Sequence, residues 1–206
     1  MTQMGENPKP LQHTREYFHK AISSGEPIGI VKPSKQWTDE LLDWGKKLDL
    51  ERPRKLVENP GYEWLRKSNA QGPLMGGCIT SIMHLRGTEY WPDYKGKILF
   101  WEIPEGQDFS KGEPLVCVDA HLADLKLSGV FDQIKGMIVG RPFQYTQDQA
   151  QSLRKKILER TEGYKFPILY GADIGHSDPQ ITVPLGVEAR IDSKSDRFEI
   201  LEAGTR

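Results

Sequence analysis

Apolar positions fall in short runs of two kinds along this chain, some spaced as one face of a helix and others as strands, and the two kinds alternate. From Thr14, the spacing of Tyr17, Phe18, Ala21 and Ile22 predicts a short helix that stops at Gly25. Ile28 to Val31 reads as a short strand before Pro33. Residues 33–44 place Trp37 and Trp44 among acids without a clean period, and are expected to form a loop with one helical turn. Tyr62 to Leu65 reads as a strand, as do Leu74 and Met75 ahead of Gly76-Gly77. Ile79, Ile82 and Met83 then give helical spacing that ends at Gly87. Lys97 to Trp101 is a compact apolar strand running into Glu102. Pro114 suits the first turn of a helix whose inner face is Leu115, Val118, Leu122 and Leu125. Met137 to Val139 is a further strand before Gly140 and Pro142. Thr146-Gln-Asp-Gln149 spells a capping box, so a helix should start there and run through Leu153 and Ile157 towards Gly163. Phe166 to Tyr170 is a strand, followed by the loop Gly-Ala-Asp-Ile-Gly-His-Ser-Asp-Pro. Val187, Ala189 and Ile191 alternate, a polar turn spans 192–196, and Phe198 and Ile200 return as the second arm of a hairpin.

Strands and helices interleave until a tail that is pure hairpin. This pattern predicts a compact mixed α/β domain with a partly antiparallel sheet, rather than a doubly wound parallel one. Residues 1–13, with two prolines and few apolar side chains, read as an N-terminal arm or linker, and 14–206 as one domain. No repeat interrupts it, and the single shift in composition, near Gly72, follows a tryptophan-rich first third.

Composition then narrows the classes of function. A formal net charge of -1 argues against a nucleic-acid partner, and the densest basic run, Arg154 to Lys156, lies on a predicted helix as a solvated face. Cys78 and Cys117 are far apart, which suggests neither a disulfide framework nor a zinc knuckle and fits a reducing compartment. The N-terminus lacks the basic and apolar regions of a signal peptide, and no apolar run reaches membrane-spanning length. A cytoplasmic protein with no membrane partner is expected. The sequence holds no phosphate-binding loop, no dinucleotide fingerprint and no G-x-S-x-G nucleophile elbow, and no cofactor is expected.

Two residues stand out as candidates for chemistry. Glu102 ends an apolar strand, where a carboxylate is partly desolvated and held on a rigid element. Taken alone, it more simply marks the point where the strand meets water. His176 sits in a glycine-containing loop directly after a strand, a place from which reactive side chains are often presented, and also one where a histidine simply caps a turn. Asp173, His176 and Asp178 are potential metal ligands, but no second histidine stands at ligand spacing, so no metal is expected. His84 and His121 fall in predicted helices and read as partners of local polar groups; His13 and His19 are given no role.

These segments together resemble one family. Gly-Lys-Ile-Leu-Phe-Trp-Glu at 96–102 is similar to the G-K-I-L-F-L-E segment of LD-carboxypeptidases, and 171–179 with 184–190 is similar to their histidine loop and closing strands. Leu-Met-Gly-Gly-Cys at 74–78, 84–93 and Gly-Met-Ile-Val-Gly-Arg-Pro at 136–142 fit in order around them. The microcin-immunity branch is the most similar, through the loop at 33–44. The resemblance implies a swivelling β/β/α domain and a Ser–His–Glu triad, with Glu102 and His176 at two of its positions. It implies that Trp37 stacks on the aromatic end of a substrate, with a surface anchor that packs the loop onto the domain standing as an equal alternative. The triad serine and its oxyanion hole belong to a family N-terminal domain that these residues do not include, and Ile103 stands where the family often has a second acid.

The function implied is hydrolysis of an amide bond near a carboxyl terminus, in a murein-type peptide or an aminoacyl nucleotide. The partner implied is a serine-bearing domain or subunit, with a homodimer as a further assembly. Two other readings stay open: a non-catalytic substrate-binding module, and a repurposed enzyme in which Glu102 and His176 do acid–base chemistry without a serine.

Overall fold

The computed structural model describes residues 9–205. Among them, one sheet carries the short edge strand β1 (Gly29–Ile30), β4 (Glu63–Arg66), β5 (Asn69–Cys78), β6 (Ile98–Glu102), β7 (Gly136–Gly140), β8 (Ile168–Ala172), β9 (Glu188–Asp192) and β10 (Arg197–Ile200). Their order is β1-β10-β9-β5-β6-β7-β8-β4. The four central strands β5 to β8 run parallel, while β4 and the β9–β10 hairpin flank them antiparallel. The mixed α/β, partly antiparallel architecture read from the sequence is the one observed. A separate two-stranded ribbon pairs β2 (Gln36–Trp37) with β3 (Val57–Glu58).

Strand period decides what each face covers. In β6, Leu99 and Trp101 point to one side and Ile98 and Phe100 to the other, and all four are buried. The first side is closed by α3 (Ile79–Met83), α4 (Leu115–Leu127), α5 (Val130–Gln133) and α6 (Gln147–Arg160), through Ile82, Val118, Leu122, Phe131, Leu153 and Ile157. Helix α6 begins at the expected capping box: the Gln149 N–H donates to Thr146 Oγ1 (3.3 Å), and the Thr146 N–H donates to Gln149 Oε1 (2.9 Å). The opposite side is covered by α1 (Gln12–Ile22) through Tyr17 and Ala21, by Ile28 and Val31, and by the inner face of the hairpin. Residues 1–8 of the expected arm lie outside the described residues; 12 and 13 already belong to α1. No helix among the described residues is long and apolar enough to cross a membrane.

Strand β5 departs from its sequence reading. Leu74 and Met75 alone were readable as strand, because Gly72, Pro73 and Gly76-Gly77 look like breakers. The strand instead runs for ten residues. Its first half pairs antiparallel with β9 as far as Pro73, and its second half pairs parallel with β6 from Leu74. Pro73 therefore falls where the strand exchanges partners. Gly76 lies at φ +155, and a β-carbon there would collide with the Phe100 carbonyl. The glycine is what lets two backbones approach, not a stop signal.

The stretch 33–44 is the expected loop for most of its length, with the short ribbon strand β2 at Gln36–Trp37; the helical turn comes at its end, as one 3-10 turn over Trp44–Lys46 ahead of α2 (Leu48–Glu51).

Gly76→Ala should lower unfolding free energy by on the order of 3 kcal/mol, since backbone atoms block the new methyl group. Gly87→Ala meets open space and should lose only about 1 kcal/mol, from its positive φ. Urea unfolding of the two variants measures the difference; equal losses would show that the close approach at Gly76 is not what requires glycine.

Candidate active site

The carboxyl ends of β6, β7 and β8 open on one edge of the sheet, and the loop that follows β8 folds back over them. Such strand ends are where open α/β sheets place ligands. Glu102, the last residue of β6, points away from the helical layer and is only 5% exposed. Two glycines make room for it. A β-carbon on Gly140 would lie 2.7 Å from Glu102 Cβ, and one on Gly175 would lie 2.6 Å from the same atom. Gly175 also adopts φ +106, which lets the loop turn sharply over the carboxylate.

That turn sets His176 on Glu102. Nδ1–H donates to Glu102 Oε2 across 2.7 Å, the hydrogen being on the ring because a carboxylate only accepts. The glutamate side chain is 6% exposed and the imidazole 38%. The hydrogen bond to Glu102 raises the His176 pKa above its ordinary value; burial works against it, and the nearby charges of Glu102, Glu105 and Asp178 add to the rise. The edge of Phe143 packs against the ring, with centroids 6.3 Å apart. A cleft of about 280 Å³ opens beside the pair, with Gly76, Gly77, Cys78 and Leu185 among its lining residues.

A second carboxylate meets the other ring nitrogen: Glu105 Oε2 stands 3.2 Å from His176 Nε2. The sequence reading stopped at position 103, where Ile103 is fully buried in the helical-side core. The signal that was available is the pair of turn formers around Glu105, Pro104 and Gly106, which fold the chain back towards the strand end.

Ser177, next to the histidine, is buried, and its hydroxyl reaches the Arg141 carbonyl at 3.5 Å, so it is not presented as a nucleophile. Asp173 and Asp178 are held by arginines. Arg141 Nη2 lies 2.7 Å from Asp173 Oδ1, and Arg54 Nη1 lies 2.7 Å from Asp178 Oδ2. Nor do the remaining histidines join the site. His13 lies 3.6 Å from Asp173 Oδ2, with burial pushing its pKa down. His121 faces Glu113 at 3.3 Å, and His84 caps the end of α3.

Trp37 is half-buried in β2 rather than carried on an exposed loop. Its ring lies against the Arg141 guanidinium, 4.8 Å from centroid to carbon, a cation–π distance. The next residue, Thr38, pairs with Asp178 through two backbone hydrogen bonds of 2.7 and 2.8 Å. The ribbon with Trp37 and the loop with His176 are thereby joined edge to edge. Arg141, Asn59 and Ser34, which anchor this junction, were not singled out from the sequence.

Known proteins share this arrangement of elements. The Escherichia coli microcin C7 self-immunity protein MccF is 29% identical over 203 residues, covering 96% of this chain and 56% of the relative. YocD of Bacillus subtilis (strain 168) is 31% identical over 198 residues, covering 93% and 55%. The solved structure of MccF in complex with aspartyl sulfamoyl adenosine superposes with a TM-score of 0.82 at 27% identity, covering 99% of this chain and 59% of that one. The chain thus spans little more than half the length of the curated relatives it matches. The sequence pattern of the LD-carboxypeptidase C-terminal domain matches residues 71–191, from inside β5 almost to the end of β9, with Glu102 and His176 inside the match. On that match the chain belongs to the LD-carboxypeptidase C-terminal-domain family.

Proposed function

We propose that residues 14–206 form one functional unit of a serine hydrolase that cleaves an amide bond near a carboxyl terminus. The unit supplies Glu102 and His176, while the serine and the oxyanion hole come from a second domain, on the same polypeptide or on another. The observation that carries this reading is the 2.7 Å contact between His176 Nδ1 and a buried Glu102 carboxylate. In such a unit His176 Nε2 takes the serine proton as the hydroxyl attacks the scissile carbonyl, then passes it to the departing amine. Glu102 holds the imidazole in the tautomer with hydrogen on Nδ1 and stabilises the imidazolium as it forms. Water then attacks the acyl-enzyme by the same route.

Trp37 takes the aromatic end of the substrate. One face of its ring is backed by Arg141, and the ring keeps partial exposure. MccF, with the same fold, was solved with aspartyl sulfamoyl adenosine, an acidic amino acid joined to a nucleoside. An aminoacyl nucleotide or a murein-type peptide is the substrate class that fits.

The chain alone should show no serine-peptidase turnover, and addition of a matching serine-bearing domain should restore it. In the reconstituted enzyme His176→Ala should lose on the order of six powers of ten in turnover, because members of a triad act as a unit. Glu102→Gln should lose about four, through the wrong imidazole tautomer. The assay is release of product from tetrapeptide and aminoacyl-nucleotide substrates, with a fluorophosphonate probe for the activated serine. Robust, His176-dependent hydrolysis by the chain alone without probe labelling would overturn the triad and favour a serine-free acid–base enzyme.

For an aminoacyl nucleotide, Trp37→Ala should raise KM by roughly fivefold to a hundredfold, as loss of one base–aromatic stack is worth about 1–3 kcal/mol. Trp37→Phe should preserve most of the affinity, and neither variant should lower kcat as His176→Ala does. A KM unchanged by both would remove the stacking role.

A further inference from the structure

We infer that Glu105 is a third member of this site: its carboxylate occupies His176 Nε2, and must withdraw before a serine hydroxyl can use that nitrogen. The inference rests on the proposed role of His176 and adds to it a residue that the family resemblance did not supply. Both ring nitrogens face carboxylate oxygens, Glu102 Oε2 at 2.7 Å from Nδ1 and Glu105 Oε2 at 3.2 Å from Nε2. The Glu102 contact is a hydrogen bond, whereas the Glu105 oxygen stands against Nε2 at ion-pair distance, in the place a serine hydroxyl would have to take. Both carboxylates favour the charged ring, and a charged imidazole has no lone pair with which to take a proton.

The two carboxylates are unequal. Glu102 is 6% exposed, lies beneath Gly140 and Gly175, and has nowhere to go. Glu105 is 35% exposed, and water reaches its side chain. Its backbone is fixed: Glu105 bridges Gly112, the Gly106 N–H donates to the Lys111 carbonyl (2.8 Å), and the Glu113 N–H donates to the Pro104 carbonyl (2.9 Å). Withdrawal is therefore a rotation of one side chain above an unmoving turn. Withdrawal removes one of the charges that favour the protonated ring and opens Nε2 to solvent. A ring that gives its Nε2 proton to water keeps its hydrogen on Nδ1 towards Glu102 and offers the Nε2 lone pair.

The charged groups around the ring support the same division. Asp178, two residues along the loop, also favours the charged imidazole, but it is itself paired with Arg54. Phe143, from the segment after β7, contributes only a ring edge. Glu105 acts on the imidazole in the same direction as Glu102, so the two effects add.

The test uses the chain as it is, with its histidines labelled with nitrogen-15. Ring-nitrogen shifts of His176 are followed through a pH titration in the wild type, Glu105→Gln, Glu105→Ala and Glu102→Gln. Carbethoxylation of His176 by diethyl pyrocarbonate, which attacks neutral imidazole, is timed in parallel by mass spectrometry. Both Glu105 variants should lower the His176 pKa, keep the hydrogen on Nδ1, and speed carbethoxylation several-fold near neutral pH. Glu105→Ala leaves no acceptor at all and should show the larger effect. If His176 titrates and reacts alike in the wild type and both Glu105 variants, while Glu102→Gln shifts its titration, this inference falls and the Glu102–His176 pair stands. If Glu102→Gln changes nothing either, the pair itself fails.

Discussion

The interaction on which the site depends is the ion pair between Asp173 and Arg141, formed where β8 and β7 end. The Asp173 side chain is fully buried, and a buried charge without partners costs several kcal/mol. That is comparable to the gain from burying one or two large apolar side chains, about 1.5–3 kcal/mol each. The chain must therefore surround this carboxylate. Arg141 Nη2 donates to it at 2.7 Å, the Ser34 N–H at 2.6 Å and Asn59 Nδ2 at 3.3 Å. Ser34 and Asn59 lie just outside the two ribbon strands, and the Asn59 N–H donates to the Lys35 carbonyl across its base. The Asp173 carbonyl accepts from the Ile181 N–H at 2.8 Å, which closes the base of the loop holding His176. Satisfying one charge fixes the feet of the Trp37 ribbon and both ends of the histidine loop. Arg141 serves twice, since its guanidinium also backs the Trp37 ring.

Sequence periodicity revealed the layered core because each of its elements carries its own pattern. Strands β6, β7 and β8 are short apolar runs, α4 shows its inner face at Val118, Leu122 and Leu125, and α6 announces itself by the capping box. The ion-pair cluster left no such trace. Ser34, Asn59, Arg141 and Asp173 are polar, distant in sequence and each ordinary in its local setting, so nothing local marks them as neighbours. Strand β5 was cut short for the opposite reason. Its glycines carry a strong local signal for turns, and the tertiary demand for close backbone approach overrides it. The pairing of Glu102 with His176 was approached through family resemblance rather than through period, since an acid at a strand end and a histidine in a loop are each ambiguous alone.

In the proposed triad, Glu102 and His176 are also the harder part to assemble. A catalytic constellation needs its groups within about 0.5 Å of the working geometry. A carboxylate meets that demand only if it is buried, aligned and kept from turning towards water. Here that takes a strand end, two glycines and a loop closed at its base, all within one fold. A serine hydroxyl needs less: a rigid turn that brings one oxygen to Nε2, which docking of a second body can provide. The join between Thr38 and Asp178 matters for the same reason. Through it the ribbon that carries Trp37 and the loop that carries His176 are joined by backbone hydrogen bonds, so on the proposed reading a substrate held at the tryptophan is in register with the base. On that reading the tolerance left to docking is confined to one approach, that of a hydroxyl to the nitrogen that Glu105 faces.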